Sequence, residues 1–367
     1  MNIVLLAPAI FAQEGGIERL MRLYLKSLCE SCRDNEHVYS LALNDSPSPP
    51  DSLSAYSNNR LASYNGFNHD KLRFTVQALR LARHADLVIC GHIHQLVIAR
   101  LAQIISPKLR YYLIAHGIDV WRKYTTIERW SLRGADKIFC VSQYTRKQML
   151  RFYSALKPAR LEVVSNALDP RLGSVLSTES SRRSARITQS PPSNPIILSV
   201  GRLKLDDLYK GFDKLIEAMP QVSREYPDAQ LRIVGTGDAL PYLQAIARSL
   251  GVDRFVSFVG RLTDEELMRE YEACTLFALP SRKEGFGLVY LEAMAYGKPC
   301  ICANAGGAPE VVAVPDTGLA VEYGNISELA EAIIEILRHP RDPEIIRKHA
   351  QQFSYERFRD RLAELIP

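Results

Sequence analysis

The chain has 367 residues, 47% apolar and 24% charged, which excludes a disordered or collagen-like polymer and suits two domains of ordinary size. No apolar run approaches the ~20 residues of a membrane-spanning helix; the candidate from Leu87 to Ala99 is broken by two histidines and a glycine. Charge is uneven: residues 1–170 carry 22 Lys and Arg against 14 Asp and Glu, the remainder 24 against 27, for a net +5.

The N-terminal MNIVLLAPAIFAQ reads as a buried strand from Asn2 to Ala7. No Lys or Arg precedes its apolar stretch, as a signal peptide would need. A helix follows from Ile17 to about Cys29, then a strand over Val38–Leu43. Asn44 to Asn68 is a polar stretch rich in Ser, Pro and Asn. Leu87–Cys90, Arg110–His116, Lys137–Ser142 and Leu161–Ser165 continue as strands with helices between them. Strands alternating with helices imply βαβ units and a mostly parallel sheet.

Residues 173–195, rich in Ser, Arg and Pro, read as an interdomain linker. A second alternating series follows, with strands at Ile196–Gly201, Leu231–Gly235, Val256–Gly260, Leu276–Pro280 and Pro299–Ala303. The expected fold is therefore α/β: two Rossmann-like, doubly wound parallel-sheet domains facing a cleft. Residues 1–172 form the first domain and 196–340 the second, with a helical tail over 341–367. Ligands of such sheets bind beyond the carboxyl ends of the strands.

Several chemistries find no support. Seven cysteines are scattered, four of them inside apolar strands, and Cys29-x-x-Cys32 closes a helix without a second pair to complete a zinc site. There is no Walker lysine loop, no G-x-S-x-G elbow and no D-x-D. Gly235-Thr-Gly237 follows a strand, but Leu240 breaks the dinucleotide fingerprint. His92 and His94 lack an identifiable third metal ligand. The expectation is no metal and no cofactor.

The informative segment is Ser281–Pro299, SRKEGFGLVYLEAMAYGKP. A strand ends, a turn with Gly285 and Gly287 follows, and a helix starts near Leu288. The first-turn N–H groups of Gly287, Leu288 and Val289 form a candidate phosphate site. Glu284 sits in the turn, and Glu292 lies on the inward side of the helix, where a carboxylate suits a ribose diol.

Glu284-Gly-Phe-Gly-x4-Glu292-Ala resembles the motif of retaining glycosyltransferases of family 4, which have the GT-B fold. Further segments match in order: Gly15-Gly16-Ile-Glu-Arg, His116-Gly117, Ser199–Leu203, Tyr209-Lys-Gly211 and Gly306–Glu310. One departure is Ser165-Asn166-Ala167, where the family carries a Pro-Asn-Gly turn.

The resemblance implies roles residue by residue. Arg202 and Lys210 would clamp the donor diphosphate, and Gly15 and Gly16 would let the backbone close over phosphates or sugar. His116 would contact the donor sugar, Glu284 would orient it, and Glu292 would hold the ribose. His94 is a candidate beside the acceptor, and Glu310 is left outside the site. The implied activity is metal-independent, retaining transfer of a hexose from a UDP- or GDP-linked nucleotide sugar. The acceptor would be a hydroxyl of a glycan or polyprenyl-diphosphate-linked lipid, in polysaccharide or glycoconjugate biosynthesis. The competing readings are a GT-B nucleotide-sugar epimerase and a non-catalytic nucleotide-sugar-binding protein. No nucleic-acid motif accompanies the basic half. The expected location is cytoplasmic, with peripheral attachment to the cytoplasmic face of the inner membrane through basic helix faces such as Arg73, Arg80 and Arg83.

Overall fold

The computed structural model describes residues 1–12, 15–171 and 194–366. All but the last two residues of the expected linker lie outside them. The chain divides into two compact units, Met1–Asp169 with Tyr355–Pro367, and Pro170–Ser354.

The first unit holds a parallel sheet of β1 (Asn2–Ala7), β2 (His37–Ala42), β3 (Leu61–Gly66), β4 (Leu87–Cys90), β5 (Arg110–Ala115), β6 (Lys137–Cys140) and β7 (Leu161–Val163), in the order β3-β2-β1-β4-β5-β6-β7. Its helices are α1 (Gly16–Ser31), α2 (Lys71–Ala82), α3 (Leu96–Ile105), α4 (Thr126–Gly134) and α5 (Gln143–Phe152). β1 and β4 are buried along nearly their whole length, as parallel strands covered on both faces must be. That is why they read as unbroken apolar runs.

β3 corrects the reading of 44–68 as an irregular polar stretch. Its six residues, LASYNG, lie on the sheet edge and are mostly half-exposed. Pairing with β2 specifies this strand rather than its own apolar pattern.

The second unit holds β8 (Ile196–Val200), β9 (Gln230–Val234), β10 (Val256–Gly260), β11 (Leu276–Leu279), β12 (Cys300–Ala303) and β13 (Gly318–Val321), parallel in the order β10-β9-β8-β11-β12-β13. α6 (Phe212–Glu225), α7 (Leu240–Ser249), α8 (Asp264–Ala273), α9 (Leu288–Ala295), α10 (Ile326–Arg338) and α11 (Pro343–Ala350) complete it. The short β13, beyond the last strand read from the sequence, pairs with β12 and continues the sheet.

The last helix, α12 (Tyr355–Leu365), belongs to the first unit, where it packs on α1. The Phe358 and Tyr24 rings meet edge-on at 5.1 Å, and the Tyr355 hydroxyl donates to Glu30 at 2.7 Å. Phe358 and Leu362 are buried, each contributing roughly 1.5–3 kcal/mol of hydrophobic stabilisation.

Both strand orders reverse direction once, between β1 and β4 and between β8 and β11. Loops after these strands diverge there and leave a crevice at the carboxyl edge. The expected site residues fall on these edges: Gly15 and Gly16 after β1, His116 after β5, Arg202 after β8 and Glu284 after β11.

Candidate active site

In the second unit three loops converge on Glu284. Lys210 Nζ donates to Glu284 Oε1 at 2.8 Å, with both side chains about 15% exposed. The next residue, Gly211, adopts φ 81°. A Cβ there would lie 2.7 Å from the Pro280 carbonyl oxygen, so glycine lets the lysine-bearing turn press against the end of β11. The Arg282 N–H donates to the Tyr209 carbonyl at 2.9 Å and joins the same two loops. From the far side, Gly307 N–H donates to the Glu284 carbonyl at 2.7 Å. A Cβ on Gly306 would stand 2.5 Å from that oxygen. The matched Gly306–Glu310 segment thus holds the Glu284 backbone.

Arg202 is more open. Its side chain is 60% exposed, and Nη2 lies 3.1 Å from Asp207 Oδ2. Asp207 Oδ1 accepts from the Tyr209 hydroxyl at 3.0 Å. The Tyr209 ring lies beneath the ammonium groups of Lys210 and Lys283. Three cations therefore border this turn, each within reach of a carboxylate or an aromatic face.

α9 begins at Leu288 after Gly287 as N-cap. Behind the loop, Phe286 is buried against Phe353 at 5.6 Å between ring centroids. Glu292 is buried in α9 and accepts from the Tyr271 hydroxyl at 2.8 Å. Glu310 lies in a short 3-10 turn.

The broken fingerprint has a packing explanation. A Cβ on Gly235 would lie 1.8 Å from the Gly201 carbonyl oxygen, and one on Gly237 2.1 Å from that of Leu203. Those glycines allow two strand-end loops to cross.

In the first unit Gly15 is the N-cap of α1 in an extended conformation. The preceding loop is clamped by Asp45, a buried carboxylate that accepts from the N–H groups of Ile10, Phe11 and Ala12 at 2.8–3.2 Å. The Tyr64 hydroxyl donates to the same carboxylate, and Arg22 Nε donates to the Ile10 carbonyl at 2.9 Å. Asp45 lies in the polar stretch after β2, where no motif marks it.

His116 Nε2 donates to the Gly91 carbonyl at 2.7 Å. His92 Nδ1 accepts from the His94 N–H at 3.2 Å, and burial lowers the His92 pKa to about 4. His94 is exposed, 3.4 Å from Arg122 Nη2. Arg122 pairs with Glu128 at 2.6 Å and holds that carboxyl down at about 2.

All seven cysteines are free. Burial pushes Cys29 up to about 12, which leaves the C-x-x-C pair little thiolate for redox chemistry.

Two family models divide the chain: Glycosyltransferase Family 4 over residues 15–172 and Glycosyl transferases group 1 over 180–353. A GDP-mannose-dependent monoacylated alpha-(1-6)-phosphatidylinositol monomannoside mannosyltransferase of Corynebacterium glutamicum is 36% identical over 61% of this chain and 60% of its own length. The GDP-mannose-dependent alpha-(1-6)-phosphatidylinositol monomannoside mannosyltransferase of Mycolicibacterium smegmatis is 34% identical over 62% of this chain and 60% of its own length. The matched stretch thus spans about three fifths of these relatives. Among solved structures, Anabaena HepE with UDP and glucose superposes with a TM-score of 0.77 at 22% identity, covering 100% of this chain and 99% of the other. Sucrose-phosphate synthase from Thermosynechococcus elongatus gives 0.74 at 21%, covering 99% and 98%. The fold is GT-B.

Proposed function

For this chain, which belongs to glycosyltransferase family 4, we propose retaining transfer of a hexose from a UDP- or GDP-linked sugar to a hydroxyl of a glycan or lipid-linked acceptor. The observation that carries the reading is the Lys210–Glu284 pair, with Arg202 in the preceding loop, at the switch point of the second sheet. A departing nucleoside diphosphate gains negative charge as the sugar–oxygen bond breaks. Fixed cations at that position stabilise the transition state more than the ground state.

In this reading Lys210 and Arg202 meet the diphosphate, the first turn of α9 (Gly287, Leu288, Val289) adds backbone donors, and Glu292 holds the ribose. Glu284 orients the sugar beside the scissile bond, and His116 contacts one of its hydroxyls. Gly15 and Gly16 give the α1 turn close access to phosphate or sugar. The C1–oxygen bond to the diphosphate breaks and the acceptor oxygen bonds C1 on the same face. The acceptor proton passes to the departing phosphate oxygen. Side-chain cations supply the charge, so the reaction proceeds without metal; activity in EDTA should match that in Mg²⁺, and a complete, Mg²⁺-reversible loss would overturn this.

The relatives' names favour GDP-mannose and an inositol lipid, whereas the HepE structure holds UDP and glucose. Thermal shift against UDP, GDP and ADP ranks the bases, because a ligand bound to the native state raises its stability. Incubation with the corresponding sugar nucleotides then separates the rivals. Release of nucleoside diphosphate only when an acceptor is added supports transfer. An isomerised nucleotide sugar without acceptor would indicate an epimerase, and binding without turnover a non-catalytic protein.

An acceptor at the cytoplasmic face of a membrane fits the surface of the first unit. Among the described residues no helix is long and apolar enough to cross a membrane. Leu72 and Val76 of α2 are 75% and 40% exposed, while Phe74, Ala78 and Ala82 form its buried face. Ile104 and Ile105 of the adjoining α3 are also exposed. Ser106 Oγ donates to the Arg83 carbonyl at 3.4 Å, placing the basic end of α2 beside that apolar pair. Exposed apolar side chains next to Arg80, Arg83 and Lys108 are suited to an anionic lipid surface.

A further inference from the structure

The loop after β1 closes on a charge of the protein's own. Ile10, Phe11 and Ala12 turn three successive N–H groups onto Asp45: Oδ1 accepts from Ile10 at 3.1 Å and from Ala12 at 3.0 Å, and Oδ2 accepts from Phe11 at 2.8 Å. The Tyr64 hydroxyl also donates to Oδ2. A carboxylate has room for about four such donors, so Asp45, which is buried, is filled. Its backbone is held as well. The Asn68 N–H donates to the Asp45 carbonyl at 2.8 Å. A Cβ on Gly66 would lie 1.9 Å from the Ser46 carbonyl oxygen, so the end of β3 presses against the turn that bears the carboxylate.

The same loop is gripped from α1. Arg22 is buried, donates from Nε to the Ile10 carbonyl at 2.9 Å, and lies 5.5 Å from the centroid of the Phe11 ring. That ring also meets those of Tyr56 and Tyr64, at 6.1 and 5.8 Å. Beyond this anchored stretch Ala12 is exposed, and Gly15 caps α1.

Successive amides that converge on one point form an anion site, and the first strand-to-helix turn of a Rossmann-like sheet commonly gives such amides to phosphate. Here an internal carboxylate occupies it. A donor diphosphate would have to displace a buried, saturated group of its own sign. We infer that Asp45 is a positioning residue for the transfer: it fills the β1 loop as a built-in anion, withholds the amides from phosphate, and presents Gly15 and Gly16 to the donor's sugar. The assignment rests on the glycosyl-transfer reading for its ligand and narrows the partner of the glycine pair from phosphate or sugar to sugar. A carboxylate is needed there rather than any polar group. An amide at this position offers a single accepting oxygen and turns its own NH2 donors onto N–H groups.

The test uses the full chain with Asp45→Gly, which leaves space for a small anion where the carboxylate stood, and with Asp45→Asn. Melting temperatures are measured alone, with sodium formate, and with formamide at the same concentration. Formate should raise the melting temperature of Asp45→Gly by a few degrees, because it binds the native loop; formamide should not, and wild type should respond to neither. Calorimetry then compares UDP and GDP with UDP-glucose and GDP-mannose. In both variants UDP and GDP should bind as they do to wild type. The extra affinity of the preferred nucleotide sugar over its nucleotide should fall about tenfold, the scale of one hydrogen-bonded contact to a charged or polar group, and formate should restore it in Asp45→Gly. If Asp45→Gly does not fold even with formate, Asp45→Asn carries the calorimetric comparison. Folded variants that keep the sugar increment, variants that lose UDP and GDP affinity in equal measure, an Asp45→Gly protein indifferent to formate, or a wild type with no sugar increment overturn the assignment. A wild-type protein that binds neither UDP nor GDP removes the glycosyl-transfer reading instead, and the formate response then decides alone whether Asp45 is the anion of the loop.

Discussion

Lys210 Nζ lies 2.8 Å from Glu284 Oε1. The cation proposed to meet the diphosphate and the carboxylate proposed to orient the sugar are thus joined before any ligand arrives. The glycine after Lys210 and the glycine pair that grips the Glu284 backbone hold this contact from two sides. Such a pair resists collapse in either direction: the lysine keeps the carboxylate away from the incoming phosphates, and the carboxylate keeps the lysine extended.

The pair should therefore behave as a unit. Lys210→Ala and Glu284→Gln are each expected to lower turnover by ~100-fold or more, the scale of one lost transition-state contact. The double variant should fall well short of the product of the two losses, because residues in one ion pair are energetically coupled. Steady-state kinetics on the four proteins measure this. Fully multiplicative losses would mean that the two side chains act independently and that the observed pair has no part in turnover.

A second prediction concerns the Tyr271 hydroxyl, which donates to Glu292 at 2.8 Å within the second unit. If Glu292 receives the ribose diol, Tyr271 sets the direction of its carboxylate. Tyr271→Phe should weaken UDP or GDP binding by about tenfold, the scale of one hydrogen bond to a charged group, while kcat changes little. With 2′,3′-dideoxynucleoside diphosphates, which lack the diol, wild type and variant should bind alike. Calorimetry gives both comparisons. A penalty of the same size for both nucleotides would point to general disruption of the packing around Tyr296 and Phe277.

The legibility of this protein in its sequence followed burial and locality. Strands covered on both faces, such as LVIC at β4 and CICA at β12, stand out as apolar runs. The segment from Glu284 to Glu292 announces itself because turn, glycines and helix lie within a few residues. The edge strand β3 was invisible, since half-exposed polar residues acquire their conformation from the neighbouring strand. Apolar character in α2 does not by itself say which side faces the core: Leu72 and Val76 are exposed, whereas Phe74 and Ala78 are buried. Asp45 and Tyr271 were missed because their partners are distant in the chain. Asp45 contacts Ile10 to Ala12 across more than thirty residues, and single carboxylates or tyrosines carry no spacing signature.

The neutral His92 ring, which accepts at Nδ1, has a consequence for stability. Burial among Asp119, His94, His116 and Arg122 brings its folded-state pKa down to about 4, against an ordinary value near ~6.5 in the unfolded chain. Between these values the unfolded chain binds a proton that the folded protein excludes. Stability from this residue is complete above pH ~6.5 and declines as pH falls towards about 4. Urea midpoints measured across that window should therefore fall less steeply for His92→Gln than for wild type. Proton NMR of the imidazole should show no titration near neutrality. A ring that titrates at ordinary pH, with identical slopes for both proteins, would remove the neutral-ring assignment.

The final prediction concerns the membrane. Basic residues alone would make attachment purely electrostatic and releasable by salt, because exposed charges are screened beyond a Debye length. The surface also presents Leu72, Ile104 and Ile105 at 75%, 60% and 55% exposure, and burying apolar side chains in the headgroup boundary is insensitive to screening. Co-sedimentation with vesicles containing anionic lipid should thus be strong at low salt and only partly reversed at high salt. Arg80→Glu with Arg83→Glu should remove the salt-sensitive part, since each cation near the surface contributes ~1 kcal/mol. Ile104→Ser with Ile105→Ser should remove the salt-resistant part and leave UDP and GDP binding intact. Protein that stays in the supernatant at low salt, together with unchanged turnover of a lipid acceptor by the arginine variant, would reject this surface as the membrane contact and favour a soluble acceptor.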